Sequence, residues 1–178
     1  MAIPALLAKP ALNQAIAIIQ KYQNTAIAAV NPALPAIQEF HKGPKWRTAF
    51  PWMTFAYHET AFHESSQQTQ SQSISMVMTL ESSNFDTEYA QDQAIDYMRM
   101  LYHIITVLAG PSPFYVDWES PLPIVQETVP SGVTVPWTQG TVKEVFVESG
   151  TQSLVLKEES EVPVIQVSLT VRFDLEEQ

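Results

Sequence analysis

The sequence predicts an α+β fold: an antiparallel sheet of four or five strands, two main helices packed on one face, and a long proline-rich loop before the last strands. Three observations carry this. At the end of the chain Ile165, Val167, Leu169, Val171, Phe173 and Leu175 alternate with Gln166, Ser168, Thr170, Arg172 and Asp174, which demands a strand with one buried and one wet face. Residues 85–109 carry an apolar stripe at helical spacing that stops at Gly110-Pro111. Residues 52–64 and 73–81 read as two strands joined by a polar run. The length, 178 residues, suits one domain over 1–178, with 111–140 as an extended loop insertion.

The first helix is expected over residues 11–30. Pro10 suits the first helical position. Leu12, Ala15, Ile16, Ile19, Ala26, Ile27 and Val30 make one apolar face, and Asn31-Pro32 ends it. Residues 31–51, with Pro32, Pro35, Gly43, Pro44 and Pro51, read as irregular, with room for a helical turn over 33–41. In WMTFAYHETAFHE, Met53, Phe55 and Tyr57 alternate with Thr54 and His58. In SISMVMTLE, Ile74, Met76, Met78 and Leu80 point one way. The polar run between them is long for a hairpin turn.

In the second helix Ser83 and Asn84 offer caps, and Asp86 and Glu88 place negative charge in the first turn. Its predicted core stripe is Tyr89, Ala94, Tyr97, Met98, Leu101, Ile105 and Leu108. Residues 111–140 hold six of the thirteen prolines, and their apolar residues have no clean period. Residues 141–148 and 152–158 flank Ser149-Gly150, a hairpin signal.

Composition excludes several classes of function. No cysteine is present, so disulfides, thiolate nucleophiles and cysteine-ligated zinc are out. A net charge of −10 with nine scattered basic residues does not gather phosphates. No apolar run reaches the length of a membrane span. The apolar N-terminus lacks a basic start and is broken by Pro4 and Pro10, so it reads as mature sequence.

Catalytic motifs are scarce. His58-Glu59-Thr60-Ala61-Phe62-His63 resembles H-E-x-x-H, but the second histidine is at i+5, off the helix face that binds zinc. Two ordinary histidines on a strand are the better reading. No phosphate-binding loop or nucleophile elbow occurs. Asp92 and Asp96 read as a solvated helix face, and His103 as a semi-buried residue near a helix end. Met76, Met78, Met98 and Met100 read as core, with a subunit contact as the alternative. Trp46, Trp52, Trp118 and Trp137 either anchor loops or reach a neighbouring subunit.

The stretches ALNQAIAIIQKYQNTAIAAV, PWMTFAYHETAF with SISMVMTLESSNFD, TEYAQDQAIDYMRMLYHIITVLA and VPVIQVSLTVRFDLEEQ follow one another as in a known architecture. The order resembles the tail terminator and related neck (head-to-tail joining) proteins of tailed bacteriophages. The resemblance covers most of the chain except 111–140. It implies a non-enzymatic, cofactor-free virion protein of the tail or neck, assembled in the host bacterial cytoplasm. It implies a homo-oligomeric ring, usually a hexamer, on the head-proximal end of the tail tube. The implied partners are the tail tube protein, a head-closure or connector protein and, in a contractile tail, the sheath protein. DNA would pass through the channel without specific binding, and no membrane is involved.

On this reading the hairpin loop of Ser66, Gln67, Gln68, Thr69, Gln70 and Gln72 is expected to make the axial or lumen contact. Phe114, Tyr115, Trp118 and Trp137 are expected at the neighbouring subunit or layer. The alternative is a non-enzymatic module that binds a small ligand or peptide, with 111–140 as a lid.

Overall fold

The computed structural model describes residues 8–43, 49–64, 70–83, 87–109, 140–156 and 163–177. Helix α1 is Ala8–Val30, followed by strands β1 (Glu39–Lys42), β2 (Trp52–Glu64) and β3 (Gln70–Ser83). Helix α2 is Thr87–His103 and continues as one π turn over Ile104–Leu108, before strands β4 (Gly140–Leu156) and β5 (Pro163–Glu177). One five-stranded sheet has the order β1-β2-β3-β5-β4. The class is α+β, as the sequence predicts.

The closing strand behaves as its alternation demands. Ile165, Val167, Leu169, Val171, Phe173 and Leu175 are all buried, and the even positions from Gln166 to Asp174 are half-buried. Each odd side chain contributes about 1.5–3 kcal/mol from burial. Their core partners on β3 are Ile74, Met76, Met78 and Leu80, set opposite Phe173, Val171, Leu169 and Val167. The methionines at 76 and 78 are therefore core, as is Met100. Helix α2 covers this face over β4 and β5, and α1 lies beside α2 and reaches β2.

Asn31 both ends α1 and ties the helices together. Its backbone N–H closes the last turn on Ile27, and its side-chain oxygen accepts from the Ala33 N–H at 3.0 Å. Its amide nitrogen donates to Asp96 Oδ2 at 2.8 Å. Asp96 is thus not part of a solvated face, as expected for the Asp92–Asp96 pair; only Asp92 is exposed. Tyr97 is fully buried and donates to the Pro35 carbonyl at 2.9 Å, pinning the segment after α1. Burial holds its phenol well above the ordinary tyrosine range, and a hydrogen bond with Ser82 opposes that rise only in part.

Several expectations need correction. Ser149-Gly150 is not a turn. β4 runs through it and pairs with β5 from Gly140↔Glu177 to Leu156↔Pro163, with irregularities at Val142/Glu144 and Val147/Ser149. Residues 157–162, between β4 and β5, lie outside the described residues. Glycine stands at 150 because a Cβ there would lie 3.0 Å from the Met98 sulfur and 3.1 Å from Leu169 Cδ2; the residue marks a close approach, not a reversal.

Residues 39–42 form an edge strand, where an irregular segment was expected. β1 pairs parallel with β2, Glu39 opposite Trp52, so the sheet is mixed and not purely antiparallel. Glu39 carries this turn: one carboxylate oxygen lies 2.7 Å from His41 Nε2 and the other accepts from the Ala49 N–H at 3.0 Å. Gly43 follows at φ +74°, a conformation that suits glycine.

Ser83 ends β3 and does not cap α2, and Asn84 and Asp86 lie outside the described residues. Tyr89 is 42% exposed and leaves the core stripe, which instead gains Ala90, Met100 and Ile104.

Candidate interaction surface

Because both helices pack on one side, the other face of the sheet is built entirely of side chains that alternate with the core. Thr54 of β2, Val77 and Thr79 of β3, and Ser168 and Thr170 of β5 form its lower half. The Thr79 and Ser168 hydroxyls lie 2.9 Å apart, and Gln166 Nε2 donates to Glu81 Oε1 at 3.1 Å.

The upper half is concave. A hollow of about 450 Å³ is lined by His58, Glu59, Ala61, Ser73, Ser75, Glu148, Arg172 and Asp174, which come from all four long strands. Arg172 sits at its centre. Its Nη1 donates to Glu148 Oε1 at 3.2 Å, its Nε lies 3.4 Å from Asp174 Oδ1 as an ion pair, and its guanidinium stacks 4.4 Å from the Phe146 ring centre. Ser75 donates to Glu148 Oε2 at 3.3 Å, and Ser73 to Asp174 Oδ1 at 2.6 Å. One guanidinium faces three carboxylates, so the hollow keeps a negative balance. These pairs are partly exposed and individually weak; together they fix the shape of a wet, acidic surface. Among the described residues no group of three or more histidine, aspartate or glutamate side chains is placed to hold a metal ion. His58-Glu59 lies on a strand, so the helical zinc-binding face does not form.

The predicted site residues scatter. Ser66, Gln67, Gln68 and Thr69 lie outside the described residues, as do Phe114, Tyr115, Trp118 and Trp137. Gln70 opens β3 opposite Glu64, so the two strands run further toward the tip than the polar composition suggests. Gln72 is a correction: it is 1% exposed, between Phe62 and Leu175 in the ladder, and cannot be a loop contact. Trp52 is buried and stacks on Phe50 at 4.0 Å, an anchor at home.

Sequence reasoning missed the hollow itself. Its residues on different strands are twelve or more positions apart along the chain, and only the strand registers bring them together. The alternating even positions of β5 were the one available signal.

No helix among the described residues is long and apolar enough to cross a membrane. Compared with known proteins, the chain matches no family model and no curated protein.

Proposed function

We propose that the chain is a structural ring protein, with the tail-end or neck ring of a tailed phage as the assembly that fits it best. The observation that carries the reading is a pair of strand edges without a strand partner among the described residues. β4 is an edge along its whole length, and β2 is paired on its outer side only over Trp52–Phe55, leaving 56–64 open. The registers put these runs at one level: Glu59 is in line with Ser75, Arg172 and Phe146, and Ala61 with Ser73, Asp174 and Glu144. β2 and β4 also run in opposite directions. Copies standing side by side in one orientation would therefore bring β4 of one against β2 of the next as an antiparallel pair. That is a heterologous contact, which closes into a ring when the rotation between copies is right.

Charge supports the same reading. The open sheet face carries the acidic hollow, and the whole chain is at −10. An acidic wall repels a passing nucleic acid instead of holding it. The usual partners of such a ring are the tube protein below and the head-closure or connector protein above, with sheath protein where the tail contracts.

The test is a cut at the hairpin tip. Because Gln70 and Gln72 belong to β3, the deletion is confined to 66–69, with two glycines restoring the turn. The expected result is an unchanged fold by circular dichroism with loss of tail joining in assembling virions. Normal joining by the shortened protein refutes the axial role of the loop.

A further inference from the structure

We infer that the second half of β4, with the groove beside it, is a docking site for an extended strand of a different protein. The two halves of this edge differ. The first half holds Lys143, Glu144 and Glu148 and both irregularities in the ladder. Charges and bulges of this kind restrict pairing to a partner of matching charge and twist. Ser149–Leu156 has neither: it reads SGTQSLVL, without charge or proline, and pairs with β5 without interruption from Thr170 to Pro163. Residues 149–154 are all exposed, Leu154 at 38%. Among the described residues no strand pairs with its outer side. Eight residues of regular edge offer roughly 26 Å of backbone donors and acceptors.

A groove of about 240 Å³ lies beside residues 152–154 of this stretch, between β4 and α2, lined by Ala90, Gln91, Ala94, Ile95, Gln152 and Leu154 among others. Ala90 and Ala94 keep α2 thin here, so space remains beside Ile95 and Leu154. An edge strand next to a helix, with a hollow between them, is the geometry of strand addition. The backbone of the incoming strand pairs with the edge, and its alternate side chains drop into the hollow. Water hydrates an exposed edge, but only another extended backbone matches its donors and acceptors residue by residue, so the occupant the geometry selects is a polypeptide.

Charge selects which polypeptide. The pairing stretch is neutral, whereas the turns of α2 that line the groove also carry Glu88 and Asp92, both exposed. The complementary strand is therefore uncharged where it pairs, apolar at the position entering the groove, and basic at an end. A second copy fits poorly at this half of β4: its open β2 run carries the exposed Glu59, which Glu88 and Asp92 would repel, whereas the first half of β4 holds Lys143. The site is independent of the ring reading and lies on the half of β4 below the ring contact.

The probe is an end-blocked octapeptide of alternating valine and threonine with lysine at both ends, titrated into the full chain while backbone amide shifts are followed. Saturable shifts confined to 149–156 and 88–95 are expected. Thr151→Lys, at an exposed position, should abolish them with the unfolding midpoint unchanged, and Leu154→Lys should do the same. Replacing the peptide's lysines by glutamate should weaken binding about threefold or more, the scale of exposed charge pairs.

The inference is overturned if the peptide shifts nothing at millimolar concentration, or shifts only residues elsewhere. Shifts in 149–156 that grow with protein concentration alone would assign the edge to a second copy. Slow exchange of the outward amides of 149–156 in the isolated chain would assign it to the chain's own segment, and either result also overturns the inference. Peptide binding by a strict monomer, or a ring that ignores the peptide, tells failure of one reading from failure of the other.

Discussion

Replacing Tyr97 by phenylalanine should lower stability at neutral pH and raise it, relative to the native chain, in alkali. The ring of Tyr97 is fully buried and its hydroxyl donates to the Pro35 carbonyl at 2.9 Å. Removing the hydroxyl keeps the packing and loses the hydrogen bonds with Pro35 and Ser82. Pro35 itself is exposed, so water can reach that partner, whereas Ser82 is buried, and the net loss is about 1–2 kcal/mol. Alkali reverses the balance. Burial raises the phenol's affinity for its proton in the folded chain, whereas the unfolded chain releases that proton near the ordinary value of about 10. Below that value the proton is bound in both states and the native contact is worth its full amount. Above it the unfolded state binds fewer protons, so the native chain loses about 1.4 kcal/mol per pH unit from this residue alone. The phenylalanine variant has no such loss, so the two stabilities should cross between about pH 10.5 and pH 11.5. Urea unfolding followed by tryptophan fluorescence at a series of pH values measures the difference directly, and groups common to both proteins cancel. A difference that stays constant through pH 11 would refute the claim that this phenol is held neutral by burial.

Other perturbations follow from the packing. Phe173→Ala removes a fully buried ring from the centre of the sheet and should cost about 3–5 kcal/mol by chemical denaturation. Gly150→Val drives a branched side chain against Met98 and Leu169 and should cost about 1–3 kcal/mol, while Gly150→Ala should come out near neutral, since a stiffer unfolded chain offsets the crowding. Asn31→Ala removes both the turn after α1 and the tie to Asp96 and should cost about 1–2 kcal/mol, most of it recovered by neither Asp nor Ser at 31, which keep only the turn. Arg172→Met should leave the thermal midpoint within a few degrees, because its ion pairs are partly exposed.

The fold was legible wherever one face of an element is buried and the other is wet. β5 is the clearest case: its period of two is set by the helices on one side and water on the other, and every odd residue from Ile165 to Leu175 obeyed it. The hairpin of β2 and β3 was legible for the same reason. Failure came where a local signal had two physical origins. Ser149-Gly150 looks like a turn because glycine permits reversal, but here glycine permits the approach of Met98. β1 was invisible because three half-buried residues and one exposed residue among prolines carry no period, and its place depends on Glu39 holding the Ala49 amide. Gln72 looked like loop because glutamine is usually wet, yet the strand register carries it beside Leu175 in the ladder, where it is buried. The acidic hollow could not be read from spacing, since only β-sheet register gathers Glu59, Glu148, Arg172 and Asp174.

The central claim is that this chain closes into a ring through like-oriented copies. The most direct measurement is its mass in solution by sedimentation and native mass spectrometry, alone and with tail tube protein. The account predicts a discrete ring, usually of six, or a monomer that becomes one on the tube end. A chain that stays strictly monomeric in both conditions contradicts it.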